Sequence, residues 1–72
     1  MAALLHPFTQ EPLTPEQAYA ACLEAQRRDT ADDRLMVYLL RRVAPAGHRS
    51  AIDRAADDRL IELAQGSAPG RE

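Results

Sequence analysis

The sequence predicts an all-α, compact three-helix domain with an N-terminal non-helical arm and a short disordered C-terminal tail. Three observations carry this. A hydroxyl residue followed three positions later by an acid or amide occurs at Thr14–Gln17, Thr30–Asp33 and Ser50–Asp53. In each, the hydroxyl can accept a bond from an orphaned backbone N–H, and the later side chain can reach back to the cap. Each signature opens a stretch of apolar residues at helical spacing, whereas no stretch alternates with period two, so no sheet is expected.

Taken in order, the arm covers 1–13. Pro7 and Pro12 exclude a regular helix there, yet Leu4, Leu5 and Phe8 are apolar. Folding back over the bundle is favoured over a mobile arm that docks on a partner, because so small a core needs the area. The first helix is expected over 15–28, with Pro15 at its first position and Ala18, Tyr19, Cys22, Leu23 and Ala25 on one face. The second is expected over 31–43, halted by Pro45 and Gly47. Its apolar residues Leu35, Met36, Val37, Leu39, Leu40 and Val43 cover about half the circumference, more than one neighbour needs. The third is expected over 51–65, with Ser50 as its cap and Gly66 as its stop. Its stripe is Ile52, Ala55, Ala56, Leu60, Leu63 and Ala64, with Arg59 inside the edge and Ile61 off it. The organisation is therefore an arm at 1–13, a helical domain at 14–66 and a flexible tail at 67–72.

Size sets the energetic frame. A chain of 72 residues is one small domain that buries only about 60% of its unfolded surface. Such chains often rely on disulfides, a metal or a partner chain. The single cysteine excludes an internal disulfide and fits a reducing, cytoplasmic location. The scattered Cys22, His6 and His48 have no zinc-ligand spacing, which leaves a partner chain, a second copy of itself among the candidates.

The formal net charge of −2 provides no global attraction to nucleic acid or anionic lipid. Nothing approaches the ~20 apolar residues of a membrane span, and the first residues lack the basic and apolar regions of a signal peptide. All nine basic residues are Arg. Ala is also abundant, so codon composition accounts for this before any selection for bidentate contacts.

No catalytic, cofactor or metal constellation emerges. Adjacent helical residues point about 100° apart, so neither Asp32-Asp33 nor Asp57-Asp58 can chelate an ion by itself. His6 and His48 stand in no recognisable nucleophile setting, and Cys22 on an apolar face reads as a small hydrophobe. The pentapeptide Ala-Asp-Asp-Arg-Leu occurs at 31–35 and again at 56–60, but in different helical registers. It is a product of composition that draws attention to Arg59. The bland account of Arg59 is snorkelling toward water or Glu62; the sharper one is an Arg aimed across an interface.

The expected function is a small non-enzymatic protein–protein interaction module, a regulator, inhibitor, adaptor or accessory subunit without a cofactor. The apolar face of the second helix would supply the contact. Val37, Tyr38, Arg41, Arg42, His48, Arg49, Arg59 and Ile61 are the expected partner-binding residues, since interfaces favour aromatic, apolar and Arg anchors. The alternative is a helix-turn-helix-like nucleic-acid-binding protein using the Arg/His cluster at the junction of the second and third helices. It ranks second because a six-residue connection is long for that motif. The would-be recognition helix is also acidic, with Asp53, Asp57, Asp58 and Glu62.

Overall fold

A computed structural model of the chain describes residues 3–67. The element order is β1 (Leu4–Leu5), β2 (Pro12–Leu13), α1 (Pro15–Arg28), α2 (Ala31–Val43) and α3 (Ala46–Ser67). The first two helices have the expected bounds. Thr14 closes a full capping box on α1: its hydroxyl accepts the Gln17 N–H at 3.1 Å, and the Gln17 amide oxygen accepts the Thr14 N–H at 2.9 Å. At α2 the Thr30 hydroxyl accepts the Asp33 N–H at 3.1 Å and donates to the Asp33 carboxylate at 2.7 Å. Between the two helices Asp29 turns the chain in a left-handed conformation, φ 54°, with its N–H on the Ala25 carbonyl.

The expected start of the third helix is wrong by a turn and a half. Pro45 accepts the Arg49 N–H at 2.8 Å, so the helix begins at Ala46, and Ser50 and Asp53 lie inside it rather than capping it. Pro45 fixes its own φ near a helical value and lacks the N–H that would otherwise be orphaned there, so it starts a helix without a hydroxyl cap. Gly66 does not stop α3, which runs through Ser67. The rest of the expected tail lies outside the described residues.

The expectation of no sheet also fails. β1 and β2 pair antiparallel, with Leu4 opposite Leu13 and Leu5 opposite Pro12. The turn between them is built on His6. Its Nδ1 accepts the N–H groups of Phe8 and Thr9 at 3.1 and 3.3 Å, and its carbonyl accepts that of Gln10 at 2.8 Å. Strands of two residues are too short to show alternation. They still direct Leu4 inward, at 1% exposure, and Leu5 outward, at 45%. The arm therefore folds back as favoured, but of Leu4, Leu5 and Phe8 only Leu4 is buried, with Leu13 packing against the core beside it. In addition, the His48 ring Nε2 bonds to the Leu13 carbonyl at 2.8 Å and ties the hairpin to the first turn of α3.

α1 is the central element. It packs along α3, on α2 and against β2, while β1 lies on α2. α1 and α3 run in the same sense, since Tyr19 reaches Asp58 and, two turns further on, Arg27 reaches Glu62. The core joins Leu4, Leu23, Met36, Leu40 and Ile52 with small residues, Ala18, Cys22 and Ala25 from α1 and Ala51 and Ala55 from α3. Small residues let two helices approach closely but contribute little apolar area each. α2 and α3 hardly touch, and one exposed ion pair, Arg41 to Asp53 at 3.1 Å, bridges them.

Candidate functional site

The separation of α2 from α3 leaves a groove over the C-terminal half of α1. On one side Ala25, Gln26 and Asp29 of α1 meet Asp33, Arg34, Val37, Tyr38 and Arg41 of α2 around a hollow of about 260 Å³. On the other, Gln26 and Asp29 meet Ala56, Arg59, Leu60 and Leu63 of α3 around a hollow of about 400 Å³. Gln26 and Asp29, near the end of α1, line both hollows. Leu60 is 65% exposed and Leu63 48%, although both lie on the stripe that sequence patterning assigns to the core. They are uncovered because α2, the only helix that could cross that side, packs on α1 instead.

Ion pairs border the groove. Arg28 holds Asp33 through two bonds, Nε at 3.2 Å and Nη2 at 3.0 Å. Together with the Thr30 hydroxyl this keeps the Asp33 carboxyl below the usual carboxylate range. Glu62 is likewise held low, first by Arg27 and then by Arg59, whose guanidinium lies 3.2 Å from it. Arg34 bonds to Asp29 at 3.0 Å on the rim. On the outer side of α1 and α3, Tyr19 donates its hydroxyl to Asp58, which raises the phenol pKa, and Arg54 stacks 4.7 Å from the Tyr19 ring. Asp58 is thus a hydrogen-bond anchor between α3 and α1.

Of the residues expected to bind a partner, Val37, Tyr38 and Arg41 line the α2 side of the groove and Arg59 the α3 side. Arg59 reaches Glu62, as the snorkelling account requires. Arg42 lies against the Tyr38 ring at 5.6 Å and donates to its hydroxyl at 3.1 Å. Ile61 is exposed on α3 outside the groove lining. His48 and Arg49 lie apart, in the first turn of α3: His48 is engaged with Leu13, while Arg49 is exposed and makes no ion pair among the described residues.

The sequence reading missed Leu60 and Leu63 as surface residues, and it missed Ala56, Gln26 and Asp29 as groove lining. The available signal was numerical. The apolar arc of the second helix already exceeds what α1 can cover, and the third helix adds a full stripe with no further helix to cover it.

The carboxylates that line the groove, Asp29 and Asp33, are held in ion pairs with Arg34 and Arg28, and no imidazole, thiol or hydroxymethyl group lines it. Those groups are placed elsewhere. His6 shapes the hairpin turn, and Cys22 is buried, its thiol pushed up to about 11 by desolvation. Among the described residues no three metal-ligating side chains gather, and no helix is long and apolar enough to cross a membrane. Comparison with protein-family models, with curated proteins and with solved structures gives no match.

Proposed function

We propose that this chain is a small non-enzymatic protein-binding module, a regulator, inhibitor, adaptor or accessory subunit, whose groove between α2 and α3 receives a helix of another protein chain. The observation that carries the reading is the uncovered apolar surface. Of the exposed large apolar side chains, Tyr38, Leu60 and Leu63 line the groove, whereas Leu5, Phe8, Leu35, Val43 and Ile61 lie outside its lining. An apolar concavity with a polar rim is what a helix-in-groove contact uses. Tyr38, Arg41 and Arg59 stand on its walls, residue types that anchor interfaces. A reducing compartment such as the cytoplasm fits the lone thiol.

Nucleic acid is the second reading, and one observation improves it. Only Ala44-Pro45 links α2 to α3, so the long connection expected from the sequence no longer counts against it. The charge argument still does. Arg41 is neutralised by Asp53, and the α3 residues that follow His48 and Arg49 include Asp53, Asp57, Asp58 and Glu62.

Site-specific photocrosslinking in the cell that makes the protein tests the proposal. A photoreactive residue at position 37 or 60 is expected to give a discrete protein adduct, and one at the exposed position 16 is expected to give none. Equal adducts at all three positions, or none at any, would reject the groove as a binding site.

A further inference from the structure

We propose that the tip of the N-terminal hairpin is a proton-operated latch, closed by the neutral His6 ring and opened when that ring takes up a proton, while the base of the hairpin stays tied to α3. The tip is a single helical turn with His6 in the capping place. The His6 carbonyl accepts the Gln10 N–H at 2.8 Å, and His6 Nδ1 accepts the N–H groups of Phe8 and Thr9 at 3.1 and 3.3 Å. Pro7, the first residue of the turn, has no N–H to satisfy and a φ already suited to it. Ser, Thr, Asp or Asn usually fills such a place and accepts through oxygen. An imidazole nitrogen accepts only while it carries no proton. Both N–H groups share the one lone pair of Nδ1, so the closed tip requires the neutral ring with its hydrogen on Nε2. A proton on Nδ1 replaces the acceptor by a donor and sets a positive charge against two N–H dipoles.

The second imidazole makes the opposite demand. His48 Nε2 bonds to the Leu13 carbonyl, which can only accept, so Nε2 carries a hydrogen. A further proton on the His48 ring leaves that bond in place and makes it charge-assisted. Leu4 and Leu13 keep their places against the core, so acid acts on the tip alone. Two features of the tip depend on its closure. Gln10 is held at φ 65°, a left-handed conformation that is costly for a residue with a side chain. The Phe8 ring, more than half exposed, lies edge-on to the His6 ring at 5.8 Å, so the latch fixes where this aromatic side chain is presented. Among the described residues no charged group is bonded to the His6 ring. Glu11 lies across the hairpin from it, its carbonyl accepting the His6 N–H, and its carboxylate makes no ion pair. On α1, which packs on β2, Glu16 makes none either. On α2, which packs on β1, Arg41 is engaged by Asp53 and Arg42 by Tyr38. In the first turn of α3, His48 is taken by Leu13 and Arg49 is exposed.

Imidazole is the side chain that ordinarily changes charge between about pH 5 and pH 8, and NMR of the full chain across that interval tests the latch. Through-space cross-peaks between the His6 and Phe8 rings, and between the Thr9 and Gln10 amides, report the closed tip. Both are expected to be lost in step with the titration of the His6 ring protons, while the cross-peaks within α1 and α2 persist. His6→Asn supplies an oxygen acceptor that does not titrate, and its amide cross-peak is expected to stay from pH 8 to pH 5. His48→Gln keeps a donor toward the Leu13 carbonyl and is expected to open as the wild type does. Circular dichroism establishes that each variant is folded. A wild-type tip that keeps both cross-peaks after the His6 ring has titrated would overturn the proposal, and so would a His6→Asn tip that opens over the same interval. Loss of the transition in folded His48→Gln would assign it to the other ring and overturn it equally.

Discussion

Leu4→Ala separates an arm that belongs to the core from one that merely rests on it. Leu4 is one of the four largest fully buried side chains, with Leu40, Ile52 and Cys22. It is held on α2 only by a two-stranded hairpin. Truncating a fully buried Leu costs about 2–5 kcal/mol from lost transfer energy plus the residual cavity. A core in a chain of this length rarely nets more than about 3–5 kcal/mol, so the substitution is expected to remove about two fifths of the stability or more. Leu5→Ala, at a position 45% exposed, is expected to cost under about 0.5 kcal/mol. Urea unfolding followed by circular dichroism measures both, with the midpoint shifting and the slope unchanged. His48→Ala removes the other anchor of the hairpin, one hydrogen bond worth about 1 kcal/mol. The double variant is expected to lose less than the sum, because both anchors hold the same element. Leu4→Ala and Leu5→Ala within 0.5 kcal/mol of each other (about the scatter of surface substitutions) would refute the placement of Leu4.

Three further outcomes are expected. Asp33 and Glu62 titrate below the carboxylate range in the folded chain, so the unfolded state binds more protons between the two values. Their contribution is complete above about pH 5 and is lost as pH falls through the folded values; thermal melts of the His6→Asn chain from pH 7 down to pH 2 should be flat and then drop, and adding Asp33→Asn should weaken the drop. Cys22, with its thiol pushed up to about 11, should resist a thiol reagent at neutral pH and react only as urea unfolds the chain; rapid reaction of the native protein would contradict its burial. Asp29→Gly should raise the melting temperature and Asp29→Ala lower it, the pair differing by about 1 kcal/mol, because the position is left-handed and its ion pair with Arg34 is exposed.

Local chemistry was legible wherever the deciding atoms lie within a few residues of one another. The bounds of α1 and α2, the Thr14 capping box and the burial of Cys22 all follow from short-range patterns. The start of α3 was misread because Ser50-Ala51-Ile52-Asp53 has the letters of a cap, while Pro45 provides a start without them. The hairpin was missed because its strands hold two residues each, and its turn depends on the His6 ring, whose bonds to Phe8 and Thr9 have no sequence signature. The bond from Tyr19 to Asp58 leaves no local trace because its partners are 39 residues apart.

The groove was illegible for a different reason. An amphipathic stripe records that a face is apolar but not whether anything covers it. On α3 the stripe is continuous in sequence from Ile52 to Ala64, yet the structure divides it near its middle. Ala51, Ile52 and Ala55 are sealed in the core, whereas Leu60 and Leu63 face the hollow beside Gln26 and Asp29. Three helices could bury that second half only if α2 crossed onto α3. The short link at Asp29-Thr30 and the Arg28–Asp33 pair hold the start of α2 against the end of α1 instead. The uncovered half of the stripe is therefore a consequence of chain connectivity. Its apolar side chains, Leu60 and Leu63, therefore stay in contact with water in the lone chain.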